Sequence, residues 1–116
     1  MLLVVALALG PTAGLGAARV VASHYSIMVK GLSQLFAAGP AVVEAIGEAS
    51  DKESLGGSAI HTRNGVVDEE VASEAEAFAR ARHFLSFMPE YVGQAAQRIE
   101  TGDRADRREE ALLSLV

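Results

Sequence analysis

The sequence contains no cysteine, which removes disulfides, thiolate nucleophiles and Cys-ligated zinc from consideration. Such a chain suits a reducing compartment, and the cytoplasm is the expected setting. Positive charge is also scarce: 10 Lys and Arg stand against 15 Asp and Glu, for a formal net charge of −5. Neutralising nucleic-acid phosphates requires clustered Lys and Arg, so DNA and RNA are not expected partners. No charged side chain occurs before Arg19. A secretory signal needs a basic segment ahead of its apolar core, and a spanning helix needs about 20 apolar residues. Gly10-Pro11 breaks the opening run MLLVVALAL well short of that. Export and membrane insertion are therefore not expected, and an anchor formed by residues 1–18 is the weakest reading.

With 116 residues, half of them hydrophobic, the chain has the size of one domain. Leu2, Leu3, Val4, Val5 and Leu7 form the continuous apolar run of a strand covered on both faces, predicted over residues 2–9. GPTAG reads as a turn, and LGAARVVAS as a helix with Leu15, Ala18 and Ala22 on one side. YSIMVK is a short strand ending at Lys30, and QLFA another. Gly39-Pro40 opens a short helix through AVVEAI, the proline standing where a first helical turn tolerates it. The stretch EASDKESLGGSAIHTRNG reads mostly as connection, with a helical turn at DKESL closed by Gly56. From Asp68 to Met88 the spacing predicts a long amphipathic helix presenting Val71, Ala75, Phe78, Ala79, Arg82, Leu85 and Met88. Its acids come early and Arg80, Arg82 and His83 late, as the helix dipole favours. Asp68 is expected to cap it and Pro89 to stop it. ETGDRADRREE has the composition of a solvated linker. The chain carries no internal repeat.

The segment Gly10-Pro11-Thr12-Ala13-Gly14-Leu15-Gly16-Ala17 is the strongest chemical candidate. A glycine-rich turn between a buried strand and a helix exposes backbone N–H groups that can stabilise an anionic oxygen, whether an enolate or a tetrahedral oxyanion. Gly-rich strand-to-helix turns also occur as plain structure, so this motif alone leaves both readings open. It is not a phosphate-binding Walker loop, because no Gly-Lys-Ser/Thr follows, and the GxGxxG spacing is absent. Of the three histidines, His24 and His83 read as structural, and none is spaced as a metal ligand, so no metal site is expected. Gly39-Pro40 and Gly56-Gly57 read as turn formers in a pocket wall.

Four pieces, MVK, then F-x-x-GP-x-VV, then LGG-x-x-x-H, then GV-x-D, occur in order along the chain. Together with GPTAGLGAARVVAS ahead of them, they resemble the carboxyltransferase subunits of propionyl-, methylcrotonyl- and acetyl-CoA carboxylases across nearly the whole sequence. The resemblance implies an α/β, crotonase-like fold in which ββα units stack as a superhelix, present here as a partial domain over residues 1–95. Residues 96–116 would then be a charged linker toward a C-terminal half. It implies transfer of a carboxyl group from carboxybiotin, carried on a partner, to the α-carbon of an acyl-CoA. Other implied partners are a biotin carboxylase and carrier subunit and further copies of the chain. The family's Gly-Gly pair falls on Gly14 and Leu15, with Gly16 following, so the backbone oxyanion hole is assigned to Gly14, Leu15 and Gly16. Lys30, Ser33 and His61 are the expected substrate-binding residues. The alternative is a catalytically inactive remnant or interaction module with the same fold.

Overall fold

The computed structural model describes residues 3–48, 51–95 and 98–115. Its centre is strand β3 (Tyr25–Val29), flanked in parallel by β1 (Val5–Ala8) and β5 (Glu69–Val71). A second, two-stranded parallel sheet joins β2 (Pro11–Ala13) to β4 (Gln34–Phe36). The helices are α1 (Leu15–Val21), α2 (Pro40–Ala45), α3 (Lys52–Gly56), α4 (Ser58–Arg63) and α5 (Glu74–Ser86).

Side chains alternate across a strand, and β3 uses both faces. Met28 joins Ala8, Ala17, Val20, Leu35 and Val67 in one core, while Ile27 and Val29 join Val71, Ala77 and Ala81 in the other. The sheet thus separates α1 and β4 from α5. Ser26 N–H and Oγ both reach Asp68 Oδ2 at 2.8 Å, and Asp68 N–H returns a bond to Ser26 Oγ. Asp68, expected as a helix cap, instead ties the start of β5 to β3.

The strand over 2–9 begins at Val5, with Met1 and Leu2 outside the described residues. Residues 11–13, read as turn, pair with β4 before the chain turns at Gly14. DKESL forms α3, with Asp51 Oδ1 accepting Ser54 N–H at 2.8 Å. That bond holds the Asp51 carboxyl below the ordinary carboxylate range. The stretch after it contains α4, which was read as connection.

The long helix is shorter and rotated relative to the expectation. It starts at Glu74, capped by Ser73, whose Oγ accepts Glu76 N–H while Glu76 Oε2 accepts Ala72 N–H. This Ser-x-x-Glu box is a stronger start signal than Asp68. Ala77 and Ala81 are the buried face, whereas Phe78, Leu85 and Met88 are exposed. Two alanines let the helix lie close on the sheet, which brings Arg80 to Glu69 at 3.1 Å. Residues 98–109 contain neither helix nor strand, and Glu110–Ser114 forms a 3₁₀ turn. No helix among the described residues is long and apolar enough to cross a membrane.

Two predictions follow from this packing. An ideal Cβ on Gly56 would stand 2.0 Å from the Leu35 carbonyl oxygen; Gly56→Ala should destabilise the fold by about 1–3 kcal/mol or more, read from denaturant midpoints. Tyr25 stacks on Phe84 with ring centroids 4.4 Å apart, and its hydroxyl donates to Glu69. Burial, then the Glu69 hydrogen bond, raises its pKa from the ordinary 10.0 to about 12. The folded state holds this proton longer than the unfolded state does. The stability it contributes is therefore fully present below the unfolded value of about 10 and is lost as pH rises toward 12. Alkaline unfolding curves should show this loss in the parent and not in Tyr25→Phe.

Candidate active site

Parallel pairing places Ala13 opposite Phe36, and the next residue must leave the sheet at once to begin α1. Gly14 does this at φ 60° and ψ −126°, a conformation that L side chains rarely adopt. Its N–H donates to the Phe36 carbonyl at 3.1 Å, and its carbonyl accepts Ala18 N–H at 3.0 Å. The first amides of a helix have no intrahelical acceptor. Among the described residues, no turn, strand or side-chain acceptor takes the N–H of Leu15 or Gly16. Leu15 itself is 70% exposed, so its side chain points away from the core.

Beside this turn lies a cleft of about 250 Å³. Helix α1 contributes Ala17, Ala18 and Val21, β4 contributes Leu35 and Phe36, and His61 and Val66 close it from α4 and the loop after it. The walls are apolar apart from backbone and His61. In such surroundings amide dipoles act on a developing negative charge more strongly than in water. The parallel strand β2 runs into the turn at its carboxyl end, the end at which open α/β sheets place ligands.

The residues expected at the site do not all meet there. Gly14 and His61 both line the cleft. His61 Nε2 is 2.7 Å from the Leu35 carbonyl oxygen, which can only accept, so the ring donates from Nε2. Its Nδ1 is buried without a partner among the described residues. Ser33 is fully buried, and its hydroxyl accepts Val29 N–H at 2.7 Å and donates to Val29 C=O at 2.8 Å. Both of these bonds close the turn after β3. Lys30 is exposed at the carboxyl end of β3, with its backbone N–H on the Val71 carbonyl. Neither Ser33 nor Lys30 lines the cleft.

Sequence reading missed the apolar walls from Ala17, Ala18, Val21, Phe36 and Val66. The available signal was the i, i+3/i+4 repeat of Gly14, Ala17, Ala18 and Val21 on one side of α1. Of the other histidines, His24 Nδ1 accepts Val4 N–H at 3.1 Å, and His83 packs edge-on against Phe87. Among the described residues no group of three or more His, Asp or Glu side chains is placed to hold a metal ion.

Comparison with known proteins gives this geometry a context. A family profile described as "Carboxyl transferase domain" matches residues 1–116. The chain is 34% identical over 110 residues to methylmalonyl-CoA decarboxylase subunit alpha of Veillonella parvula, covering 93% of this chain and 22% of that one. It is 31% identical over 105 residues to the mitochondrial propionyl-CoA carboxylase beta chain of Homo sapiens, covering 89% and 20%. A probable biotin-dependent acyl-coenzyme A carboxylase beta2 subunit of Mycobacterium tuberculosis is 39% identical over 66 residues, covering 55% and 12%. Among solved structures, transcarboxylase 12S with hydrolysed methylmalonyl-coenzyme A bound superposes with a TM-score of 0.73 at 26% identity, over 83% of this chain and 19% of that one. The beta subunit of P. aeruginosa geranyl-CoA carboxylase gives 0.67 at 27% identity, over 82% and 18%. The chain therefore spans about a fifth of the length of the relatives it matches, and its architecture is the crotonase-like one expected. Matched along its whole length, the chain belongs to the carboxyl transferase domain family.

Proposed function

We propose that this chain supplies the thioester-holding part of a biotin-dependent acyl-CoA carboxyltransferase. The observation that carries this reading is the Gly14 turn standing at the wall of an apolar cleft, in a chain matched throughout by the family profile. Proton loss at the α-carbon of a thioester turns its carbonyl into an enolate, moving negative charge onto one oxygen. The Leu15 and Gly16 amides are the donors for that oxygen, and Gly14 supplies the backbone geometry that presents them. A leucine serves as well as a glycine here because the donor is its backbone N–H.

The cleft receives the apolar part of the ligand. His61 forms part of that wall, and the exposed Lys30 is available to an anionic group such as a CoA phosphate. Biotin, as its carboxylated form, supplies the carboxyl group when the partner that carries it is bound. The cleft's lining does not suit biotin's ureido ring, which calls for paired polar contacts, so no residue of this chain is assigned to it. A biotin carboxylase and carrier subunit and further copies of the chain complete the proposed assembly, with the cytoplasm as its setting.

A second reading, an inactive remnant or interaction module, draws support from Gly14, whose N–H is already spent on Phe36. Leu15→Pro separates the two. Proline is tolerated at the first helical position and removes that one donor. Turnover in the reconstituted carboxylase, measured as acyl-CoA-dependent carboxyl transfer, should fall about 10²–10³-fold with circular dichroism unchanged. Unaltered turnover would discard the oxyanion assignment. The purified 116-residue chain should bind a CoA thioester by calorimetry yet fail to decarboxylate methylmalonyl-CoA with free biotin. Activity of the chain alone would show that no partner is required.

A further inference from the structure

We infer that His61 is a positioning residue: through the Leu35 carbonyl it fixes the strand that aims the Gly14 turn. Successive carbonyls of a strand point to opposite edges. On one edge of β4, the Phe36 carbonyl takes the Gly14 N–H at 3.1 Å. The Leu35 carbonyl points to the other edge, where no further strand among the described residues pairs with β4. That edge is closed by the piece Leu55-Gly56-Gly57-Ser58-Ala59-Ile60-His61. Gln34 bridges to Gly57, and its side-chain amide donates to Glu53 Oε2 at 3.0 Å. Gly56 lies so close to the Leu35 carbonyl that a Cβ would stand 2.0 Å from it. One helical turn after Gly57, His61 Nε2 reaches the same carbonyl at 2.7 Å.

The spacing therefore has a mechanical meaning. The first glycine admits close approach, the second bridges to the strand, and the histidine arrives four residues later to satisfy the Leu35 carbonyl. With β4 held from this side, Phe36 stays in register with Ala13 and keeps the Gly14 N–H. The free amides are then those of Leu15 and Gly16. His61 acts on the ligand's oxygen through β4 and not by contact. The role builds on the oxyanion reading of the turn, but the coupling it asserts is measurable without any ligand.

Amide hydrogen exchange in the 116-residue chain tests it. His61→Phe keeps a ring of similar volume and removes the donor, so exchange at Gly14 should quicken about five- to tenfold relative to Ile27 and Val29. His61→Gln keeps a donor near the Nε2 position and should restore the parent's rate to within about twofold. Unchanged Gly14 exchange in His61→Phe overturns the inference. So does a Gln variant that behaves like Phe. Nitrogen spectra of the parent's ring decide independently should the Phe variant not fold: a proton on Nε2 is expected, and an Nδ1-only tautomer overturns the coupling. Titration with a CoA thioester that leaves the Leu15 and Gly16 amides unmoved overturns the oxyanion reading alone, because the exchange result stands without it.

Discussion

Strand β3 contributes to both cores at once, and the remaining elements are arranged by that double burial. Ile27, Met28 and Val29 are almost wholly removed from water. Burying apolar side chains of this size stabilises by roughly 1.5–3 kcal/mol each, so a few consecutive residues anchor two layers. The price is that the strand's polar backbone needs partners on each edge. β1 supplies one set and β5 the other. At the start of β5, Asp68 converts that pairing into a fixed register by holding both the backbone and the hydroxyl of Ser26.

The site is built at one remove from this centre. β1 delivers the chain into the short sheet formed by β2 and β4, and the turn at Gly14 leaves that sheet under strict backbone constraint. Charge stabilisation in such a place comes from fixed dipoles, so accuracy of position matters more than the identity of nearby side chains. This suits a surface with few polar residues. The cleft offers an apolar wall, and the chemistry proposed for it resides in main-chain N–H groups whose direction the fold decides.

Much of this was legible in the residues. The apolar runs over β1 and β3, the proline at the start of α2 and the helical turn at DKESL each follow from local rules that tertiary contacts did not override. The four ordered motifs located the family. What escaped was set by packing. β5 contains Glu69-Glu70-Val71, a poor strand by composition, and forms because β3 offers a free edge there. α5 was read on its larger side chains, yet Ala77 and Ala81 face the sheet, since only small residues permit the close seat. Ser33, expected to bind substrate, is buried where the chain reverses, its hydroxyl taking two backbone partners.

That seat gives α5 an unusual distribution of tolerance. Its tightest positions are its smallest residues, so enlarging Ala77 or Ala81 would lift the helix from the sheet and draw Arg80 away from Glu69. The bulky residues Phe78 and Leu85 are exposed and belong to neither core among the described residues. Substitutional freedom along α5 should therefore be lowest at Ala77 and Ala81 and higher at Phe78 and Leu85. A reader ranking its positions by hydrophobicity would identify the wrong side as the anchor.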